Sequence, residues 1–118
     1  MGIQNKLVSV ANTNDPKKRA KMSFVIDSGA LHSVVSKRVL KKLGVNPIKS
    51  EDYVLANGDI IIRMVGVALF EYQGEEALAP VIFGEIGDKE VLGATTLESM
   101  GLGIDPIRQK LINVERRL

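Results

Sequence analysis

The chain has 118 residues, of which 45% are hydrophobic and 25% charged, and its formal net charge is +2. This length favours one domain over residues 1–118, and the composition excludes a disordered or fibrous protein. Cysteine is absent and there is one histidine, which excludes a disulfide scaffold and a thiolate or histidine-rich metal site. No apolar run approaches the roughly 18 residues of a membrane span, and the first residues lack a signal-peptide pattern. We therefore expect a cytoplasmic protein without a metal or organic cofactor.

The charges are distributed unevenly along the sequence. Between residues 17 and 42, eight basic residues accompany a single acid, whereas between residues 51 and 105 eleven acids accompany two bases. Clustered Lys and Arg side chains attract phosphates, so the basic block is one feature of nucleic-acid-binding proteins. It is also a feature of solvated loops and helices, and no aromatic residues are interleaved to stack on bases. We do not expect nucleic acid as a partner.

Short apolar runs bounded by turn residues predict strands along most of the chain. These runs are Leu7–Val10, Phe24–Ile26, Val34–Val35, Val54–Ala56, Asp59–Tyr72, Leu78–Phe83 and Lys110–Val114. The continuous run 24–26 predicts a strand covered on both faces. Asn57-Gly58 is typical of a two-residue type I′ turn, and Gln73-Gly74-Glu75 predicts a second turn.

Two short helices are also predicted. Ser36 is a suitable N-cap for a helix over residues 37–43, which Gly44 would end. Thr95 and Glu98 have the spacing of a capping box for a second helix, which Gly101 would end. Many short strands with two short helices favour an all-β fold, either a small β-barrel or a sandwich.

Asp27 is the residue that most directly indicates chemistry, because it follows the apolar run 24–26. Burial disfavours an ionised carboxylate unless hydrogen-bond donors compensate. Ser28 offers a hydroxyl, and Gly29 lets the backbone turn its N–H groups towards the carboxylate. The same three residues also close strands as an Asx-type turn with no catalytic meaning. The tripeptide alone leaves both interpretations open.

The segment Val25-Ile26-Asp27-Ser28-Gly29-Ala30 resembles the signature of the retropepsin-like aspartic proteases, in which two apolar residues precede Asp, Ser or Thr, Gly and usually Ala. Further features follow in the family's order: a short strand and helix, a hairpin similar to the flap, and Val91-Leu92-Gly93-Ala94 opening a helix. Together they cover residues from about 7 to 114. The stand-alone prokaryotic members are the most similar. Ser28 stands where Thr is commoner, and Ser36 where Pro often occurs.

The resemblance implies a small closed β-barrel of the retropepsin (acid protease) type with one or two short helices, active as a two-fold homodimer. Aspartic proteolysis needs one ionised and one protonated carboxylate. Only one of the six Asp residues, Asp27, precedes Ser-Gly or Thr-Gly. A two-fold axis supplies the second carboxylate from the other protomer. The implied function is an aspartic endopeptidase that hydrolyses peptide bonds with a water activated by the two Asp27 side chains.

Site roles follow from the resemblance. The catalytic residue is Asp27; support of its loop falls to Ser28, Gly29 and Ala30, and to the segment Val91, Leu92 and Gly93; the hairpin tip that would close over an extended or unfolded peptide is Ala56, Asn57, Gly58 and Asp59. Asp59 is unusual at such a tip, and capping of the turn is an equally good role for it. Ala30, Val54 and Ile60 are expected to line side-chain pockets, and the first and last strands to interleave in the dimer.

Two alternatives stay open, and the weaker is a basic nucleic-acid-binding domain, whose binding would weaken steeply with salt. A catalytically silent peptide-binding or dimerisation module on the same fold would also explain the resemblance, although the intact Asp27-Ser28-Gly29 argues against it. Residues of chemical interest outside the motif are expected to be structural. These are His32, Tyr53, Tyr72 and the Asp105-Pro106 turn.

Overall fold

Short strands make up most of the architecture. The structure, a computed structural model, describes residues 2–115. The strands in this range are β1 (Gly2–Ala11), β2 (Arg19–Asp27), β3 (Ser33–Ser36), β4 (Lys49–Val54), β5 (Ile60–Tyr72), β6 (Glu75–Gly84), β7 (Val91–Leu92), β8 (Leu102–Asp105) and β9 (Lys110–Asn113). The helices are α1 (Lys37–Lys42) and α2 (Ala94–Ser99). The expected predominance of β-structure is confirmed.

Seven of the strands form one sheet in the order β1-β2-β7-β3-β6-β5-β4, while β8 and β9 form a separate antiparallel pair. β7 lies between β2, to which it is parallel, and β3, to which it is antiparallel. β1 pairs with β5 as well as with β2, with Val10 opposite Phe70. Each of β1, β2, β3, β5, β6 and β7 therefore has a neighbour on both sides, and β4 is an edge strand.

The core is built from aliphatic residues and three phenylalanines. Phe24 of β2 and Phe70 of β5 are buried and meet edge to face with ring centroids 6.5 Å apart. Leu40 and Leu97 bury the inner faces of α1 and α2 in the same cluster. Burying a side chain of this kind stabilises the fold by about 1.5–3 kcal/mol. Val25 is only partly buried between Phe24 and the next core residue, so the expectation of a strand fully covered on both faces is only partly met.

The hairpin between β4 and β5 differs from the predicted one. Its loop covers residues 55–59, so Leu55 and Ala56 are not part of a strand. A type I′ turn needs positive φ at both central residues, and of Asn57 and Gly58 only Gly58 has it, with φ 89°. The predicted turn type was therefore wrong. Gly58 N donates to Leu55 O and Leu55 N donates to Asp59 O, so residues 56–58 form a three-residue loop between the bonded pair Leu55 and Asp59.

The two helices occur where expected. The predicted N-cap is correct for α1 and wrong for α2. Ser36 Oγ accepts a hydrogen bond from Val39 N, as predicted for the N-cap of α1. The capping box predicted at Thr95 was wrong, because α2 begins after Gly93 without a side-chain cap and Thr95 lies inside the helix. The Thr95 hydroxyl donates instead to Leu31 O at 2.9 Å. The hydroxyl that the local pattern predicted to cap the helix is therefore engaged in a tertiary contact with the loop after Asp27.

Candidate active site

Asp27 ends β2 and begins a tight turn. Its Oδ1 accepts a hydrogen bond from Gly29 N at 2.8 Å, and Ala30 N donates to its backbone carbonyl at 3.1 Å. A Cβ at Gly29 would lie 3.1 Å from Oδ1, closer than an ordinary contact. The absence of a side chain therefore lets the backbone approach the carboxylate. The side chain of Asp27 is half-buried, while Ser28 and Gly29 are exposed.

The turn after Asp27 is bound to the start of α2. Ala30 O accepts from Ala94 N at 2.7 Å, and Leu31 O accepts from Thr95 N at 3.0 Å. The first N–H groups of a helix have no partner within the helix, so the two loop carbonyls satisfy them. His32 Nδ1 lies 3.3 Å from Thr95 Oγ1, consistent with the structural role expected for His32.

A buried polar cluster lies directly behind this contact. Ser33 Oγ accepts from Gly93 N at 3.0 Å and is hydrogen-bonded to Thr96 Oγ1. All three residues are buried. A Cβ at Gly93 would lie 2.7 Å from the carbonyl carbon and oxygen of His32 and 2.8 Å from Ala30 O. Only glycine allows the two segments to approach this closely.

The segment ahead of Gly93 lies beside the strand that carries Asp27. Val91 pairs with Val25, and Leu92 pairs with Ile26. Leu92 is fully buried. The structure thus brings together two of the predicted groups, Asp27 with its loop and the 91–93 segment.

The predicted tip residues, by contrast, lie on an exposed loop. Asn57 Nδ2 donates to Asp59 Oδ2 at 3.0 Å, and Asp59 N donates to Asn57 Oδ1 at 2.9 Å. The Asp59 carboxylate is therefore hydrogen-bonded within the turn, in agreement with the turn-capping role considered for it from the sequence. Ala56 and Gly58 are also exposed.

Two cavities lie along the inner face of the β4–β5 hairpin, with volumes of about 300 Å³ and about 240 Å³. Tyr53 lines both, and burial raises the pKa of its hydroxyl above the ordinary 10.0. Val54 and Ile60, expected to line pockets, point to the other face and are 72% and 65% exposed. Side chains alternate between the two faces of a strand, so Tyr53 lies on the face opposite to Val54. A strand predicted over the actual range of β4, Lys49–Val54, would have placed Tyr53 on the cavity side.

The wall of the larger cavity includes residues that the sequence analysis did not single out. Lys49 and Glu51 form an ion pair at 2.6 Å beside His32. The hydrogen bond from Lys49 lowers the pKa of Glu51, and the same bond raises the pKa of Lys49. Neither residue has a local sequence signal beyond ordinary strand polarity.

Comparison with known proteins agrees with this geometry. The family profile described as aspartyl protease matches residues 9–95, more than half of the chain and including Asp27-Ser28-Gly29. The chain belongs to the aspartyl protease family. No curated protein sequence matches it.

Solved structures extend the comparison to the fold of this retropepsin-like protein. The crystal structure of a retropepsin-like aspartic protease from Rickettsia conorii is similar with a TM-score of 0.58 and 21% identity, covering 89% of this chain and 83% of that one. The solution structure of Simian Foamy Virus (mac) protease is similar with a TM-score of 0.54 and 19% identity, covering 79% and 92%. At these identities the likeness is one of fold.

The described residues contain neither a cluster of metal-ligating side chains nor a membrane-spanning helix. Across residues 2–115, no three His, Asp or Glu side chains are grouped so as to hold a metal ion. Neither helix in the described part of the chain has the length and apolar character needed to cross a membrane.

Proposed function

We propose that this protein is an aspartic endopeptidase whose active form is a two-fold homodimer of one-domain protomers. The observation that carries the proposal is the turn after β2, in which Gly29 N binds Asp27 Oδ1 while α2 fixes the following carbonyls. A carboxylate held in this way keeps one orientation, which acid–base chemistry requires. Membership of the aspartyl protease family supports the same function.

The proposed chemistry needs two Asp27 side chains facing each other across the axis. Two close carboxylates share one proton and titrate as a pair, because like charges at short distance cannot both ionise easily. The ionised member takes a proton from water, and the resulting hydroxide attacks the scissile carbonyl. The protonated member donates to the carbonyl oxygen. As the tetrahedral intermediate collapses, the carboxyl that took the proton from water gives it to the leaving nitrogen and the C–N bond breaks. The other carboxylate regains its proton from a hydroxyl of the intermediate, which restores the starting state of the pair.

The other predicted residues are assigned supporting roles. Ser28 would hydrogen-bond across the axis, and Gly29 and Ala30 would keep the loop in place over the 91–93 segment. The β4–β5 hairpin would act as a flap, with its tip closing over an extended peptide that adds strand-like hydrogen bonds. The β1–β5 pairing favours a closed barrel.

The dimer is supported by the incompleteness of one protomer, which has a single carboxylate in this setting. β9 pairs with β8 alone among the described strands, and its Ile112 is 39% exposed. An uncovered edge of this kind is suited to pairing with another chain. We propose that β1 and β9 interleave there, in a protein located in the cytoplasm.

The test is cleavage of an unfolded protein substrate between about pH 3 and 7, where a carboxylate pair changes its protonation. Asp27→Asn is expected to abolish cleavage. Asp15→Asn, a matched change in the loop between β1 and β2, is expected to leave it unchanged. Sedimentation at micromolar concentration should show a dimer, either for the protein alone or after peptide is added. A monomer under both conditions would leave the two carboxylates no means of meeting. A folded wild-type dimer that cleaves nothing would instead favour the silent binding module.

A further inference from the structure

Arg63 of β5 connects the hairpin to the loop between β6 and β7, residues 85–90. Its Nε donates to Asp88 Oδ2 at 2.7 Å, and its Nη2 donates to Asp88 Oδ1 at 3.0 Å. The side chains of Arg63 and Asp88 are only 17% and 27% exposed. Because the planar guanidinium matches both carboxylate oxygens, this arrangement fixes orientation as well as distance.

Both partners are held in place by their own surroundings. Asp88 Oδ2 also accepts from Glu85 N at 2.8 Å, and Asp88 N donates to Glu85 O at 3.0 Å. Arg63 Nη1 donates to Ile62 O at 3.0 Å. The pair therefore joins two preorganised groups, and little side-chain freedom is lost when it forms.

The other ion pairs between described residues do not join the hairpin to the rest of the protein. Lys49–Glu51 lies within β4, and Arg108–Asp105 lies within one turn. Lys37 binds Glu85 at 3.4 Å, with both side chains more than 40% exposed. This pair ends on the same loop as Asp88 but contacts α1, so it serves as a matched control.

The Arg63–Asp88 pair borders the cavity of about 240 Å³ beneath the hairpin. The rest of its lining is mainly apolar. The body of the protein contributes Val34, Ile82 and Val91 together with Lys89, and the hairpin contributes Ile61 and Tyr53. We propose that Arg63 and Asp88 form a latch that holds the hairpin closed over this cavity and so positions it for peptide binding. The inference rests on the proposed role of the hairpin as a flap.

The latch is expected to persist over the range in which a carboxylate dyad operates. The hydrogen bond from Arg63 holds the pKa of Asp88 below its ordinary 3.8, and the same bond raises the pKa of Arg63 further above its ordinary value. The other charged groups of the loop are Glu85, which is paired with Lys37, together with Lys89 and Glu90. Opening above about pH 4 therefore has to break an ionised pair.

The first test is independent of catalysis and uses amide ¹⁵N relaxation of the full-length protein on the ps–ns and μs–ms timescales. In Asp88→Asn and in Arg63→Gln, amides of residues 54–62 are expected to gain mobility, with order parameters falling from about 0.85 towards 0.6 or with new μs–ms exchange. Lys37→Gln is expected to match the wild type. Unchanged hairpin amides in Asp88→Asn, or an equal gain throughout β1 and β2, would overturn the latch.

The second test measures KM and kcat on a peptide that the wild type cleaves. Loss of the pair is expected to raise KM roughly tenfold, as removal of one charge-assisted contact does, with a smaller effect on kcat. Arg63→Lys keeps the charge without the fork and is expected to be intermediate, whereas Lys37→Gln should not differ from the wild type. An unchanged KM in Asp88→Asn would contradict the latch. If the wild type cleaves nothing while Asp88→Asn and Arg63→Gln show the expected relaxation changes, the proposed function is contradicted and the latch stands.

Discussion

Replacing Gly93 by alanine should destabilise the protein through the backbone contacts behind the Asp27 loop. Gly93 has φ −97° and ψ 179°, an extended conformation that alanine adopts without strain. Any loss must therefore come from the new Cβ, which would lie 2.7 Å from the carbonyl carbon and oxygen of His32 and 2.8 Å from Ala30 O. These atoms belong to the backbone and cannot rotate away.

The magnitude follows from the cost of overpacking. Inserting a methyl group into a packed site costs about 1–3 kcal/mol, and we expect the upper end because relief requires moving the segment 30–32 away from α2. A chain of 118 residues has an unfolding entropy of about 0.25 kcal/mol/K near the midpoint. A loss of about 3 kcal/mol therefore lowers Tm by about 12 °C.

The assay is unfolding by urea and by heat, followed by far-UV circular dichroism at one fixed protein concentration, because oligomers show concentration-dependent stability. Gly103→Ala is the matched control: its Cβ would lie 3.5 Å from Val114 Cγ1, an ordinary contact. We expect that variant to stay within about 0.5 kcal/mol of the wild type. If Gly93→Ala is equally stable, the close approach of the two segments does not exist in solution.

Two further predictions concern buried and charged groups. Ser33→Ala leaves Gly93 N and the Thr96 hydroxyl without their partner and should lower the free energy of unfolding by about 1–3 kcal/mol. The control Ser23→Ala changes an exposed serine and should alter that free energy by less than about 0.5 kcal/mol. Equal urea midpoints for the two variants would contradict this prediction. The Arg63 contact lowers the pKa of Asp88, so its stabilisation is present above the ordinary carboxyl pKa of 3.8 and is lost as the pH falls through the lower, folded value. The stability difference between wild type and Asp88→Asn, about 1 kcal/mol at pH 7, should shrink in urea titrations below pH 3.8, and a difference independent of pH would refute that origin.

The parts of the fold predicted correctly are those fixed by local pattern. The strand 24–26, the helix capped by Ser36 and the long strand ending at Tyr72 depend on apolar spacing and capping within a few residues, and the structure contains them. The family resemblance, carried by residues 25–30, is confirmed by the profile match. These signals needed no knowledge of distant contacts.

The incorrect predictions concern groups with competing partners. Asn57-Gly58 had the composition of a type I′ turn, but the Asn57 side chain binds Asp59 and the three-residue loop forms. The turn with positive φ at both positions is Gln73-Gly74, with φ 49° and 86°. The composition of Asn57-Gly58 suits both a type I′ turn and the three-residue loop. The hydrogen bonds between the Asn57 side chain and Asp59 favour the loop.

Other features had no local signal at all. β8 contains four residues, one of them Gly103, and its pairing with β9 depends on the chain reversing after Asp105. Arg63 and Asp88 lie 25 positions apart and become partners only when β5 and the β6–β7 loop are already packed. The roles of Asp27, of the hairpin tip and of the dimer stay predictions.

The contact between the Asp27 turn and α2 has a consequence for the order of folding. Beside the local bonds from Gly29 N and Ala30 N, hydrogen bonds from residues more than 60 positions later hold this turn in place, such as Thr95 Oγ1 to Leu31 O. Closing so long a loop carries an entropic cost before any contact compensates for it, so distant pairings form late. A chain still emerging from the ribosome already contains Asp27 and its local donors but lacks the α2 donors that anchor the turn to the rest of the protein. The turn that carries the carboxylate is thus anchored only once residues 94 and 95 have been made.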